Sequence, residues 1–408
     1  MVEFSDLPQE YIKPYSICFS LIQFNDFNFF DDHVPIFKKY WRFFVRMFLT
    51  SIQFVSMTIY LIRRLQGDFK IPELSYVISC YIVIIQGFVK FYIVLYNKTN
   101  IQKLILSLGV MWRTDNLTDI QIGIKNRFLK TLSVGQVVCY WSFFVAIWLN
   151  MSISFIITLV RKFILRQDTE LMLAFGSVYI FFNTSEDWFL YIIAYLFQIY
   201  TMSGLGYMYF GIEFLTITLC AYLSTAFSLL RDDLKRLTPR NNRVNLNENL
   251  RNESPYTIEM IIKQHQKLIE LTKLMNNSFS VIFFTNLSFV TFEICFYAFA
   301  CIVAHTPMDF SKNILAVLII LPSIFILCYY SELLREESGG IAEAAYENLW
   351  YRGDDGYQKS IRFIIMRAQR PCSLMSLNYT PITLNTFTKV VSTTWSYLSV
   401  AITMYSKK

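Results

Sequence analysis

Polar side chains follow one face of the last strongly apolar segment of the chain, between Ile382 and Tyr405. At 100° per residue, this face carries Lys389, Thr393, Ser396, Val400, Thr403 and Met404. A polar stripe on a membrane helix must face water or protein, and several copies around an axis would line an ion pore, with Val400 and Met404 as an apolar gate. The same stripe also suits a helix packed inside its own bundle, so the residues alone leave both interpretations open.

Aromatic, Met and small polar side chains concentrate in one half of the other apolar segments. The candidate pocket residues are Ser79, Cys80, Tyr81 and Val83 in the second segment, Phe144, Ile147, Trp148 and Met151 in the third, Tyr195, Ile199 and Met202 in the fourth, and Leu321 and Phe325 in the sixth. Large apolar surfaces with a few hydroxyl groups suit a small neutral ligand. The alternative is that these side chains pack the bundle or face lipid.

The sequence lacks the spacing of familiar catalytic and metal-binding motifs. It contains no Ser/His/Asp order of a hydrolase, no phosphate-binding glycine loop, no HExxH pair and no CxxC pair among its eight cysteines. It therefore predicts neither an enzyme nor a cofactor or metal site. Glu213 and Glu293 lie inside apolar segments, where a charge facing lipid costs roughly 2.5–3.5 kcal/mol. We expect each of them to face a wet cavity or a basic partner.

The composition is that of an integral membrane protein. Of 408 residues, 54% are hydrophobic and only 16% are charged, and the mean hydropathy is +0.39. Soluble domains carry about 25% charge, and disordered chains are far less apolar. The net charge of +7 comes without a basic patch in a soluble domain, so the expected surroundings are membrane lipid and no nucleic acid partner is predicted.

Seven segments are long and apolar enough to cross a membrane, which takes about 20 residues. They are 43–62, 74–96, 134–160, 189–223, 279–304, 314–334 and 382–405. Most Lys and Arg residues fall on the side of the N terminus, which predicts a cytoplasmic N terminus. The predicted fold is all-α, with a cytoplasmic segment in 1–42, six spans and an outer pocket in 43–334, a cytoplasmic anchor helix and loop in 335–381, and a pore-lining seventh span with an extracellular tail in 382–408.

Helical extensions are predicted on the cytoplasmic side. Apolar residues recur at helical spacing from Thr257 to Asn277, so the fifth span is expected to begin in the cytosol as one continuous helix. A second cytoplasmic helix is predicted over 341–351, after a break at Gly339-Gly340. The pair Asp354-Asp355 is interpreted as a solvated turn.

The last third of the chain resembles a known family. Residues 369–404, QRPCSLMSLNYTPITLNTFTKVVSTTWSYLSVAITM, are similar to the C-terminal signature of insect odorant receptors, with a basic-Pro start, a central Phe and the Ser396-Tyr397 pair. The run 341–350, IAEAAYENLW, resembles the segment before the last span of that family, and HQKL at 265–268 resembles the stretch that leads into the fifth span.

This resemblance implies an odorant-gated, non-selective cation channel, built as a tetramer around the last helix. Alignment on Ser396-Tyr397 puts the gate at Val400 and Met404 and the polar filter at Thr403, while Trp395 departs from the smaller or Tyr side chains that are usual before the pair. Segment 224–278 is too short for the insertion of a co-receptor. The resemblance therefore implies a tuning subunit that binds a small volatile odorant and joins a co-receptor in a heterotetramer, in the plasma membrane of olfactory sensory neurons.

Other receptor classes remain as alternatives. A gustatory receptor channel subunit would share the architecture, although the Ser396-Tyr397 ending favours the odorant branch. A G-protein-coupled receptor is opposed by the predicted orientation and by the lack of Asn-Pro-x-x-Tyr in the seventh segment. A transporter is opposed by the absence of repeat symmetry. Asn183 begins the sequon in the largest predicted extracellular loop, so a glycan is expected there if the chain carries one.

Overall fold

The protein is almost entirely helical in a computed structural model that describes residues 4–22, 29–30, 40–66, 71–164, 166, 171, 173–179, 187–238, 257–304 and 306–406. Its α-helices in these ranges are α1 (Gln9–Ile22), α2 (Trp41–Gln66), α3 (Ile71–Tyr96), α4 (Lys98–Val110), α5 (Asp119–Leu159), α6 (Trp188–Arg236), α7 (Ile258–Ile302), α8 (Pro307–Glu347), α9 (Asp355–Ala368) and α10 (Leu384–Ser406). A π-helical turn, Val160–Ile164, ends α5, and short 3-10 turns cover Phe4–Asp6 and Trp350–Arg352. The expectation of an all-α fold is confirmed. Asn183, the candidate glycosylation site, lies outside the described residues.

Six of the described helices are long and apolar enough to cross a membrane: α2, α3, α5, α6, α7 and α8. They coincide with the first six predicted segments. The helix α10 covers the seventh segment with 23 residues, and its polar stripe makes it less apolar than the other six. The helix α6 has 49 residues and is therefore roughly 74 Å long, far beyond the ~30 Å of hydrocarbon.

The helix α6 is the centre of the bundle. Within its most apolar window, 94% of the residues are buried, because α1, α3, α5, α7 and α8 all pack against it. The helix α1 approaches it closely at Gly211, where an added Cβ atom would lie 2.9 Å from the backbone nitrogen of Ile22. The side chains Tyr11 and Tyr15 of α1 stack around Tyr222 of α6 at ring distances of 4.6 and 5.4 Å. The helix α1 is thus part of the core.

The predicted break at Gly339-Gly340 is wrong. The helix α8 continues through both glycines to Glu347. The glycines allow close packing instead, since a Cβ atom on Gly340 would lie 2.9 Å from Nη1 of Arg231 on α6. The helix ends at Asn348, whose Nδ2 donates to the carbonyl of Leu234 at 2.8 Å.

The pair Asp354-Asp355 is exposed, as expected of a solvated pair, but it begins a helix instead of forming a free turn. The Asp354 side chain accepts a hydrogen bond from the backbone N–H of Tyr357 at 2.8 Å, so it caps the N terminus of α9. A two-stranded antiparallel hairpin, β1 (Met375–Ser376) and β2 (Thr380–Pro381), then connects α9 to α10. Its turn residues Leu377 and Asn378 have positive φ angles of 46° and 62°.

Candidate functional site

A cavity of about 150 Å³ lies among α3, α5, α6, α7 and α8. Most of its wall is apolar, with a small number of polar side chains. The helices α5 and α6 can meet along it because Gly206 has no side chain, and a Cβ atom there would lie 2.8 Å from Phe143 and 2.9 Å from Ile147. A concave, mostly apolar space with few polar groups is the usual form of a small-molecule site.

Five of the sequence-predicted pocket residues line this cavity: Cys80, Val83, Ile147, Met151 and Met202. The other eight lie outside its lining: Ser79, Tyr81, Phe144, Trp148, Tyr195, Ile199, Leu321 and Phe325. Ser79 is buried and donates to its own helix at the Ser75 carbonyl, at 2.9 Å. Tyr81 stacks on Phe54 at 4.5 Å, away from the cavity.

The remaining six have other surroundings. Trp148 is 40% exposed on the outside of α5 and contacts the ring of Phe144 at 5.8 Å. Tyr195 is buried and donates its hydroxyl proton to the Met151 carbonyl. Phe325 is 43% exposed, and its edge contacts Phe387 of α10. Ile199 packs against the core cluster beside the cavity, and Leu321 is half-buried.

The cavity also has lining residues outside the sequence-predicted pocket set, although Glu293 among them was expected to face a cavity or a basic partner. They are Tyr76, Ile84, Phe143, Ala146, Asn150, Phe175, Leu205, Gly206, Tyr209, Phe210, Glu293, Tyr297, Leu315, Ala316, Ile319 and Ile320. On α5 the lining face follows Phe143, Ile147, Asn150 and Met151, which is helical spacing, displaced by one residue from the predicted Phe144 and Trp148. A helix that is apolar on all sides gives no periodic signal for which face is inside.

A buried ion pair lies beside the cavity. Lys90 of α3 and Glu213 of α6 are joined at 2.6 Å between Nζ and Oε1, and Lys90 has no exposed surface. Asn286 of α7 donates to the same carboxylate oxygen at 2.7 Å, and the Lys90 ammonium lies 3.2 Å from the ring centre of Tyr209. Desolvated charges must be paired and hydrogen-bonded in this way. Lys90, Glu213 and Asn286 together join three helices.

Glu293 lies in the cavity wall without such partners. The side chain has no exposed surface, and neither carboxyl oxygen has a hydrogen-bond partner among the described residues. It occupies the same face of α7 as Asn286 and Tyr297, two turns and one turn away along the helix. The polar groups in the cavity wall therefore include a buried carboxyl group.

All six candidate pore residues of α10 are exposed on the side turned away from α7: Lys389, Thr393, Ser396, Val400, Thr403 and Met404. Val400 is 58% exposed and Met404 69%. Leu398 on the opposite face is 5% exposed and packs with Cys295 and Phe299 of α7. The helix therefore presents its polar stripe outward from its own bundle and its apolar side to α7.

The start of α10 is held by hydrogen bonds from α7 and α8. Asn276 of α7 donates from Nδ2 to the Ser373 carbonyl at 2.9 Å and accepts at Oδ1 from the Met375 N–H at 3.1 Å. Ser331 of α8 donates to the Ile382 carbonyl at 2.6 Å, and Glu332 accepts from the N–H of Leu384 at 3.2 Å. Movement of α7 or α8 would therefore be transmitted to the base of α10.

Several ionisable groups lie outside the apolar spans, at the end of the bundle away from the cavity, and have shifted pKa values. Burial, followed by the nearby positive charge of Arg367, lowers the pKa of His265 to about 4. Burial raises the pKa of Asp233, although Arg113, 2.8 Å away, and Gln121 oppose the shift. Burial likewise raises the pKa of Glu337 against the effect of Arg231. This end of the bundle therefore holds a packed polar network.

Residues 70–395 match the family model described as the 7tm odorant receptor. The chain belongs to this family. The prediction made from the C-terminal signature is confirmed, and a G-protein-coupled receptor is not favoured. The family is one of multi-span membrane receptors and channels rather than enzymes, and its members serve olfaction.

Individual odorant receptors and a solved receptor structure are similar to this chain. Odorant receptor 85c of Drosophila melanogaster is 22% identical over 341 residues, covering 84% of this chain and 85% of that protein. Odorant receptor 67c of the same fly is 29% identical over 161 residues, about two fifths of either chain. The insect olfactory receptor OR5 from Machilis hrabei, solved in complex with eugenol, superposes with a TM-score of 0.75 at 16% identity, covering 97% of this chain and all of that one. At this identity the superposition shows the shared fold.

Proposed function

We propose that the chain is the ligand-selective subunit of an odorant-gated, non-selective cation channel. A small neutral volatile binds in the cavity among α3, α5, α6, α7 and α8, and the pore is lined by α10 together with co-receptor subunits in a heterotetramer. The N terminus is cytoplasmic, the cavity lies in the outer half of the membrane, and the site of action is the plasma membrane of olfactory sensory neurons. The single observation that carries the proposal is the apolar cavity among these five helices.

The size and chemistry of the cavity support a volatile ligand. A cavity of about 150 Å³ with an apolar wall accepts a molecule such as benzene. Eugenol, a substituted benzene, is the ligand in the solved complex of the Machilis receptor. A wall of this kind distinguishes one methylene group by only about 1–3 kcal/mol, so a series of related volatiles should activate with graded potency.

The exposed face of α10 supports a pore role. Val400 and Met404 present large apolar surfaces beside Thr403, on a helix that its own bundle covers only on the other side. Equivalent helices from neighbouring subunits would cover this face and form a ring. Apolar side chains converging in that ring would exclude water when the pore is narrow and admit hydrated cations when it widens.

The helix α7 connects the two regions. Glu293 and Tyr297 line the cavity, whereas Cys295 and Phe299, on the other side of the same helical turns, contact α10 at Leu398. A ligand that shifts α7 therefore moves the surface on which the pore helix rests. Ligand binding can favour the open pore only if the ligand interacts more favourably with the open state than with the closed state.

Current recording tests the proposal. Cells that express the chain with an insect odorant receptor co-receptor should give inward cation currents when a panel of volatiles is applied, with potencies that differ among related compounds. Cells with the co-receptor alone are the matched control and should respond only to a co-receptor agonist. A chain that reaches the cell surface, yet adds no volatile-evoked current to that of the co-receptor alone, would contradict the proposal.

A further inference from the structure

The polar groups of the cavity differ in whether they have hydrogen-bond partners. The Tyr297 hydroxyl lies 3.6 Å from the Cys80 sulfur, and the Tyr76 hydroxyl donates to Oδ1 of Asn150 at 3.3 Å. Both oxygens of Glu293, by contrast, are fully buried and have no hydrogen-bond partner in the part of the chain that the structure describes. A buried polar group without a hydrogen bond is costly, so a native site that retains one has a use for it.

The charge balance around Glu293 decides its protonation state. Lys90 is the basic group beside it, and Lys90 is already joined to Glu213 at 2.6 Å. Asn286 adds its hydrogen bond to Glu213 and not to Glu293. An ionised Glu293 would therefore be a second buried negative charge sharing one cation, without hydrogen bonds of its own. The desolvation cost of such a charge is several kcal/mol, so the neutral acid is the stable form.

A neutral carboxyl group has a hydroxyl proton to donate, as well as a carbonyl oxygen that accepts. We propose that Glu293 donates a hydrogen bond to an acceptor oxygen of the ligand, so that the cavity selects oxygenated neutral volatiles, such as ketones and esters, over hydrocarbons of the same shape. This inference rests on the proposed function of the cavity as the odorant site. It adds to that function the chemical class of the ligand and the residue that recognises it.

A cationic amine fits this position less well than a carbonyl compound. It would require Glu293 to ionise, and the ammonium group would then enter an apolar cavity that has the Lys90 ammonium beside it. The charge of Lys90 acts directly on Glu293, so it would repel a cation placed against that carboxyl group. A carbonyl oxygen, in contrast, satisfies Glu293 without moving any charge into the membrane interior.

The test uses sets of volatiles that share one carbon skeleton. The first set is ethylbenzene, acetophenone and protonated 1-phenylethylamine, and further sets vary the skeleton in the same way. They are applied to cells expressing the full chain and a co-receptor. In the wild type, the concentration for half-maximal current should be about tenfold lower for the ketone than for the hydrocarbon, the size expected for one buried hydrogen bond.

Two substitutions separate hydrogen bonding from charge. Glu293→Gln keeps the shape and a hydrogen-bond donor, so it should retain most of the preference for the ketone. Glu293→Leu removes donor and acceptor, and should bring the ketone and the hydrocarbon to within about twofold. Because Glu293→Leu replaces a carboxyl group without hydrogen bonds by an apolar side chain, this variant should reach the cell surface at least as well as the wild type. If it does not, Glu293→Met is the substitute.

Thr285→Val, on the same helix and away from the cavity, is the matched control. The Thr285 hydroxyl donates only to its own helix, at the Ile282 carbonyl, so its loss should leave the ketone preference unchanged. Surface labelling and the current evoked by a co-receptor agonist report folding and assembly for each variant.

The outcomes distinguish this inference from the proposed function. Wild-type cells that respond to no member of any set would overturn both. Wild-type cells that respond, but with equal potency for ketone and hydrocarbon, would overturn only the role of Glu293. A Glu293→Leu variant that still prefers the ketone would also overturn the role of Glu293. The same conclusion would follow if the amine is the most potent ligand of the wild type and the Glu293→Gln variant loses the response.

Discussion

The buried pair Lys90–Glu213 offers a sharp test of how charge is arranged in the bundle. Replacing Lys90 by Met keeps the length of the side chain but leaves Glu213 with Asn286 as its one neutral donor, 2.7 Å away, and with Glu293 as a second acid nearby. Breaking a buried pair by removing one partner costs about 3–5 kcal/mol, because the remaining charge is desolvated and uncompensated. Lys90→Met should destabilise the protein by an amount in this range.

Replacing the other partner, Glu213, should reduce the stability of the protein by less. In Glu213→Gln the amide retains the contact with Asn286, and Lys90 can recruit Glu293, which then ionises and takes over as its counter-ion. We therefore expect Glu213→Gln to cost about 1–3 kcal/mol, the range for loss of a hydrogen bond to a charged group. The double variant Lys90→Met/Glu213→Leu removes both charges and should recover most of the loss, as apolar replacement of a buried pair often does.

Thermal unfolding of the detergent-extracted protein, at one scan rate for all variants, measures these differences. The wild type and the double variant should have the highest melting temperatures. Glu213→Gln should melt at a lower temperature, and Lys90→Met should melt at the lowest. Equal melting temperatures for both single variants would refute the role of Glu293 as a reserve counter-ion. A Lys90→Met variant as stable as the wild type would refute the buried pair itself.

Two further predictions concern pH and cavity volume. His265 has a pKa of about 4 in the folded protein, below its ordinary 6.5, so the unfolded chain binds the proton more readily. The stability it contributes is complete above pH 6.5 and is lost as the pH falls towards 4. At pH 5 the loss is roughly 2 kcal/mol, and His265→Gln should show a smaller fall in melting temperature between pH 7 and pH 5 than the wild type does. A variant with the same fall would contradict the assignment. Ala316→Phe projects a ring into the cavity and should raise the odorant concentration for half-maximal current at least tenfold, whereas Leu318→Phe, at a position 63% exposed on the same helix, should not. Equal dose–response curves would show that the odorant binds elsewhere.

The first six spans could be predicted from the sequence because a run of about 20 apolar residues is a signal in itself. The continuity of α7 from Ile258 to Ile302 was also predicted, since its polar half keeps helical spacing. The helix α1 was missed. It has only 14 residues and contains Pro14, although Tyr11, Tyr15 and Cys18 do lie on one face.

The cavity was predicted less well than the spans that surround it. Its location in one half of the bundle follows from side-chain type, but its exact wall depends on the rotation of each helix. On α5, both faces carry aromatic residues, and only packing against Gly206 of α6 decides that Phe143 rather than Phe144 faces inward. Glu293 could be expected to face a cavity or a base because it is an acid in an apolar segment, but the contributions of Ala316 and Ile319 depend on how α8 packs, which no local pattern encodes.

Cysteine accessibility along α10 tests most directly whether ligand binding opens a pore lined by this helix. Val400→Cys and Leu398→Cys place thiols on opposite faces, one at a position 58% exposed and one at a position 5% exposed, and the wild type reports the background from native cysteines. Cells expressing each variant with a co-receptor receive a small charged thiol reagent from outside, with and without an activating volatile. We predict that current through the Val400→Cys channel is modified several-fold faster with the volatile present, while Leu398→Cys stays at background in both conditions. Rapid modification at position 398 with none at position 400 would contradict the assignment of α10 as the pore helix.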